Sequence, residues 1–281
     1  MLESVKLFKK NKGSNRLLKL SKAVTQSEAE SFDTKSLIEL LLSIFQSWEL
    51  QLNSFYITGP YPNQGWKTKE GFLNGLKKKD YKHIHHLIIS DFENQLFLDF
   101  ENWSHNRTIE VESDSISFEL MTDKNLLTEE ELISFSSKIY PILNFEYGYI
   151  FEQSKKYSID EAKIKNGIFS VSTAQNPNYE KWLKYQSATK YGYLRSIYEV
   201  NFLSPQHLEN EQLKSTIDSF GKLVHHENLN IWKLERSEVE QCLTRLEKSN
   251  YLVENSEFNK TEMFEHINRE IKKYAPQQWR A

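Results

Sequence analysis

Cysteine is almost absent from this chain: Cys242 is the only one among 281 residues. A disulfide framework within the chain and a zinc site built on thiolates are therefore excluded. Glycine is scarce at nine residues and proline numbers six, which leaves little material for a glycine-rich phosphate cradle. The one stretch of that appearance, Gly59 to Thr68, has the wrong spacing. Five residues separate Gly59 from Gly65, Trp66 splits Gly65 from Lys67, and Pro60 and Pro62 lack amides that would bind phosphate. Long apolar runs are missing as well. The best window, Leu37 to Leu52, is broken by Glu39, Gln46 and Glu49, short of the roughly 18 uninterrupted apolar residues of a membrane helix. No G-x-S-x-G nucleophile elbow occurs.

What is present describes a folded chain. Apolar residues make up 38% and charged residues 27%, with 6 Trp, 14 Tyr and 17 Phe, a composition that argues against disorder. The length fits one large or two small domains at about 150 residues each. The formal charge of −3 indicates no general nucleic-acid binder.

That charge is unevenly spread. Met1 to Lys22 carries seven Lys and Arg against Glu3, or +6. No apolar run of about 7–15 residues follows, so a secretory signal peptide is not expected and the cytoplasm is the expected compartment. Asp91 to Glu131 holds twelve acids, among them Asp91, Glu93, Asp99, Glu101, Glu110, Glu112 and Asp114, against Arg107 and Lys124 alone, giving −10 over 41 residues. Such a field either solvates strand faces and a helix start or steers a basic protein partner.

Periodicity predicts the elements. Asp33 caps a helix whose apolar residues Leu37, Leu40, Leu41, Ile44, Phe45 and Trp48 fall on one stripe. Strand-like segments cover Phe55 to Ile57, His83 to Ser90, Gln95 to Trp103, Thr108 to Ser113, and Ser115 to Met121, with Gly59 to Gly65 as loop and a weak helix over Lys69 to Lys79. Thr128 with Glu131 forms a capping box for a helix through Leu143, and Ser237 with Glu240 a second one. Phe145 to Phe151 and Tyr193 to Leu203 read as extended, and helices are expected near Tyr179 to Tyr185, after Ser204-Pro205, and over Thr261 to Tyr274. Strands come in groups, which favours an α+β fold of antiparallel sheet with helices packed on one face. A basic arm over 1–25 precedes a single domain over 26–281, or two lobes meeting near 150–190.

Each cluster of reactive side chains also has a plain structural role. His83-x-His85 puts two imidazoles on one strand face, but further ligands at metal spacing are not evident. Asp99-x-Glu101 places two carboxylates on one face, as metal-dependent nucleases and glycosidases do, yet the local negative field repels a polyanion. His225-His226-Glu227 points its side chains apart, and Cys242 lies on a helix stripe. Tyr179, Trp182, Tyr185, Tyr191, Tyr193 and Tyr198 serve either as a core lining or as a recognition surface. No catalytic residue, metal or cofactor is expected.

The segment Gly192-Tyr193-Leu194-Arg195-Ser196-Ile197-Tyr198-Glu199-Val200-Asn201-Phe202-Leu203-Ser204-Pro205-Gln206-His207-Leu208 resembles bacterial immunity proteins of type VI secretion and polymorphic toxin systems. Gly221-Lys222-Leu223, Ile231-Trp232-Lys233-Leu234 and Tyr251-Leu252-Val253 follow in the same order. Ser196 and Glu199 stand where that pattern carries Asp and Pro. The resemblance implies a bacterial cytoplasmic antitoxin that binds a cognate effector with no chemistry of its own, nucleic acid or membrane partner. It leaves Gly192, Arg195, Tyr198, Asn201 and His207 as structural residues, and the charge of the acidic stretch makes that stretch the expected partner-binding surface. A phage-defence or regulatory interaction module is the first alternative, and a metal-dependent hydrolase using His83, His85, Asp99 or Glu101 the second.

Overall fold

The computed structural model describes residues 13–59, 63–79, 81, 84–91, 96–103, 114–155, 163–165, 171–173 and 177–274. The first half contains β1 (Ser14–Val24), α1 (Gln26–Glu30), α2 (Thr34–Ser47), β2 (Ser54–Thr58), β3 (Gln64–Trp66), α3 (Lys69–Leu76), β4 (His86–Asp91), β5 (Leu96–Trp103), β6 (Asp114–Asp123) and α4 (Glu129–Leu143). The second half contains β7 (Tyr147–Ser154), β8 (Lys163–Lys165), β9 (Val171–Thr173), α5 (Pro177–Tyr185), a 3-10 helix (Gln186–Tyr191), β10 (Val200–Leu203), α6 (Pro205–Glu209), α7 (Glu211–Ile217), β11 (Lys222–His226), β12 (Leu229–Lys233), α8 (Arg236–Leu246) and α9 (Lys260–Tyr274). Ten of the strands form one antiparallel sheet in the order β11-β12-β10-β7-β1-β6-β5-β4-β2-β3, while β8 and β9 pair with each other. The fold is α+β.

The middle of that sheet is β1, paired with β6 on one side and β7 on the other. Leu17, Leu18, Leu20, Ala23 and Val24 are buried on its two faces. This corrects the basic arm of 1–25 over its second half: Ser14 to Val24 is sheet, and residues 1–12 lie outside the described residues. Two of the charges counted toward that arm, Arg16 and Lys19, find cross-strand acids. Lys19 Nζ lies 2.9 Å from Glu119 Oε1 on β6. Arg16 donates to Glu152 Oε1 at 3.1 Å and to the Leu127 carbonyl at 2.7 Å.

Strand alternation divides the side chains between two cores. On one face Leu18, Leu20, Phe55, Leu87, Leu98, Phe100, Phe118, Leu120, Ile150 and Phe202 pack with α1 to α4. There Phe135 of α4 meets Phe45 and Trp48 of α2 at ring separations of 6.4 and 5.4 Å and Phe118 of β6 at 5.7 Å. Each fully buried ring of this kind contributes about 2 kcal/mol. On the reverse face Tyr147, Tyr149, Leu203 and Trp232 pack with α5 to α9. Helices therefore occupy one face per half, and the two halves use opposite faces of a shared sheet.

The helix starts follow local chemistry. Asp33 accepts from the Ser36 amide at 3.0 Å at the head of α2, and Thr128 with Glu131 closes a reciprocal box at the head of α4. At α8 the box is Glu235 with Glu238, not Ser237 with Glu240. The Glu235 amide donates to Glu238 at 2.8 Å, and the Gly221 amide donates to the same carboxylate at 2.9 Å, which fixes the start two residues earlier. The loop expected through Gly65 yields at Gln64, where β3 pairs with β2. Extended structure over Tyr193 to Leu203 narrows to β10, and the strand expected over Thr108 to Ser113 lies outside the described residues. Among the described residues no helix is long and apolar enough to cross a membrane.

Candidate functional site

The second core takes in no residue of β4, β5 or β6 among the described residues. On that half of the reverse face, alternation brings out His86 from β4, Asp99 and Glu101 from β5, and Ser115, Ser117 and Glu119 from β6. All of them are half-buried. Trp182, Leu183 and Gln186, around the junction of α5 and the 3-10 helix, stand beside this floor together with Tyr149. Leu183 is 47% exposed, one of the two exposed large apolar side chains among the described residues. The result is a groove with an acidic floor and an aromatic and aliphatic wall.

Register fixes the floor. Glu119, Lys19 and Tyr149 follow Asp99 in one row across β5, β6, β1 and β7, while Glu101 faces His86 on one side and Ser117 on the other. His86 Nε2 lies 2.7 Å from Asp99 Oδ1 and 3.8 Å from Glu101 Oε1. Burial alone would lower the affinity of His86 for its proton. The hydrogen bond to Asp99 and the charges of Asp99 and Glu101 outweigh it, and the net displacement is upward. Lys19, with its side chain only 6% exposed, neutralises Glu119 from the neighbouring strand. The floor thus holds three carboxylates, one buried ammonium and an imidazole biased toward its charged form.

The acidic stretch is divided by the structure. Glu101 lines the groove, and Asp99 lies on the same strand face beside it. Asp91 does neither: it is wholly buried and accepts from the Gln51 amide at 3.1 Å. Its position on the strand, in phase with Leu87 and Ile89, turns it toward the helical core, so it is removed from the partner-binding set. Asp114 opens β6 opposite Val24. Glu93, Glu110, Glu112 and His83 lie outside the described residues. His86, which the sequence reading passed over in favour of His83 and His85, is the imidazole that joins the carboxylates, because pairing sets it directly opposite Glu101.

The motif residues of the second half lie in a knot beneath the groove wall. Gly192 ends the 3-10 helix at φ +84°, a conformation L side chains rarely adopt, and a Cβ there would approach the Gln206 carbonyl to 2.9 Å. Arg195, 2% exposed, donates to Glu254 Oε1 at 2.7 Å and to the Tyr149 hydroxyl at 2.5 Å. Tyr198 stacks on Tyr149 with ring centroids 4.0 Å apart, and burial pushes its hydroxyl to a higher pKa. Asn201 closes a local loop, accepting from the Tyr198 amide at 3.1 Å and donating to the Tyr198 carbonyl at 2.6 Å. His207 is fully buried, with Nδ1 accepting from the Ser204 amide and Nε2 facing the Tyr193 carbonyl, both at 3.1 Å. The aromatic stretch is largely core: Trp182, Tyr185 and Tyr193 are buried in it. Cys242 is buried too, its thiol pushed up to about 11 by burial first and by Glu238 second.

No protein-family model matches the chain, and no curated protein matches it. Among solved structures the chain is similar to the Pseudomonas aeruginosa T6SS protein PA0821, with a TM-score of 0.51 at 8% identity. The similarity covers 94% of this chain and 87% of that one. At this identity the likeness is one of fold, and its extent takes in both halves of the sheet.

Proposed function

We propose that the protein is an immunity protein, which binds a cognate antibacterial effector toxin and neutralises it by direct contact. The observation that carries this reading is the groove on the reverse face, where Glu101 and Glu119 line the same cavity as the exposed Leu183 and Asp99 is the ladder partner of Glu119. An acidic floor attracts a basic surface over about a Debye length, and an adjacent apolar side chain supplies area that is desolvated on contact. A carboxylate projecting from a rigid sheet can occupy the place of an anionic substrate in a toxin's active site. The shared fold with a T6SS protein and the Gly192 to Leu208 pattern support the same context. In this reading the chain performs no reaction of its own and acts in the cytoplasm.

The test is affinity capture from the source bacterium, identification of the protein that co-purifies, and kinetics with that protein. The captured protein should arrest growth when expressed alone and be silenced by co-expression. Association should slow with added salt and fall several-fold in Glu101→Lys, with unchanged melting temperature. A harmless partner, or association indifferent to both salt and Glu101→Lys, refutes the proposal.

A further inference from the structure

We infer that His86, Asp99 and Glu101 form a binding site for a divalent transition metal of the zinc class. This inference concerns the chain alone and does not rest on the proposed function. One imidazole nitrogen and one oxygen from each carboxylate lie within 4.8 Å of one another. Zinc–nitrogen and zinc–oxygen bonds of about 2.1 Å in a tetrahedron set the ligand atoms about 3.4 Å apart. The His86–Asp99 separation of 2.7 Å must open by about 0.7 Å, and the His86–Glu101 separation of 3.8 Å must close by about 0.4 Å. Rotation about terminal side-chain bonds covers both changes without moving a strand.

The backbone beneath these ligands is fixed. Both strands are interior to the sheet: β4 lies between β2 and β5, and β5 between β4 and β6. His86 and Glu101 are direct partners in the ladder, and Asp99 is the diagonal neighbour on the same face. Such positions hold ligands more tightly than loops do. The next row limits the charge. Glu119, opposite Asp99, is engaged by Lys19 at 2.9 Å, so the trio presents two carboxylates and one imidazole as a distinct set. Mixed imidazole and carboxylate donors suit zinc and its first-row neighbours, whereas calcium and magnesium favour oxygen throughout. Three protein ligands leave a fourth position for water or for an incoming side chain, and that position opens onto the groove.

The test uses the full chain, stripped with chelator and titrated with Co2+, followed by Zn2+ in competition. One equivalent of Co2+ should develop the visible d–d absorption of a four- or five-coordinate site, and Zn2+ should displace it. Since loss of outer-shell partners alone costs about 10–100-fold in metal affinity, His86→Ala and Asp99→Asn should each weaken binding at least tenfold. His225→Ala, on the exposed β11–β12 hairpin, should bind as the wild type does. His86 and Asp99 are both partly exposed, and circular dichroism checks that the variants fold. Glu101→Gln gives an independent reading of the same site. Binding that is unsaturable, or equally tight in the wild type and His86→Ala, overturns the proposal, as does binding abolished by His225→Ala.

Discussion

Acid destabilisation should centre on His207. The ring is fully buried against Tyr147, with Nδ1 committed as an acceptor to the Ser204 amide and Nε2 carrying the proton toward the Tyr193 carbonyl. A second proton would turn Nδ1 from an acceptor into a donor facing the Ser204 amide, with the Ser204 hydroxyl 2.7 Å away as the acceptor at hand, and it would put a charge in a buried site. Burial is the first cause of the displacement, and it takes the pKa from 6.5 down to about 4. The sign follows from linkage. The unfolded chain binds a proton below about pH 6.5 while the folded chain refuses it until about pH 4, so stability rises with pH across that window. About 2.5 pH units at 1.36 kcal/mol each amount to about 3 kcal/mol, present at pH 7 and lost as the pH falls toward 4. Carboxylates titrate in the same range, so the informative quantity is a difference. Urea unfolding of the wild type and of His207→Asn, whose amide oxygen can still accept from Ser204, should be compared at pH 7, 5.5 and 4.5. The wild type should lead at pH 7, and its lead should shrink by most of that 3 kcal/mol as the pH falls. A constant gap would show that the folded ring takes up its proton as readily as the unfolded chain does, and would refute the claim that burial holds it neutral.

Three further substitutions probe separate links. Gly148→Ala places a Cβ 2.5 Å from Leu20 Cδ2 and 2.9 Å from the Lys19 carbonyl at the sheet centre, and should cost about 2–3 kcal/mol in denaturant midpoint analysis. Arg195→Ala removes a guanidinium that bonds Glu254 and Tyr149, and should cost roughly 2–3 kcal/mol by thermal unfolding. Arg195 lies in the knot beneath the groove wall rather than on its floor, so partner affinity measured below the melting transition should persist. Thr128→Ala breaks the box at the start of α4 and should lower stability by about 1 kcal/mol, readable as a shift in urea midpoint with unchanged slope.

Most helices and the segments of β4, β5, β6 and β7 were legible from local chemistry and alternation, whereas the central strand and the registers that pairing decides were not. The heads of α2 and α4 could be placed because Asp33 and Thr128 with Glu131 act within three residues of themselves. The shared face of Asp99 and Glu101 follows from alternation within one strand. β1 was hidden because a central strand carries no alternation to read: Lys19 sits among leucines, and its ammonium is satisfied by Glu119, a residue 100 positions away. His86 was missed for a related reason. Which of three clustered histidines meets Glu101 depends on the register of β4 against β5, which is a property of the pair. Asp91 did carry a signal, since it continues the alternate series of Leu87 and Ile89 into the core.

The placement of β1 bears on how the chain reaches its native state. β1 lies at the centre, yet its neighbours are Asp114–Asp123 and Tyr147–Ser154, so neither edge of β1 can be satisfied until those distant segments have been made. During synthesis at roughly 5–20 residues per second, Leu17, Leu18 and Leu20 wait several seconds without partners. Loop closures of this span precede the contacts that reward them, which places the protein among slow folders. A nascent chain of this design is most exposed to aggregation and to chaperones at β1, and its sheet closes from the middle only when β7 arrives.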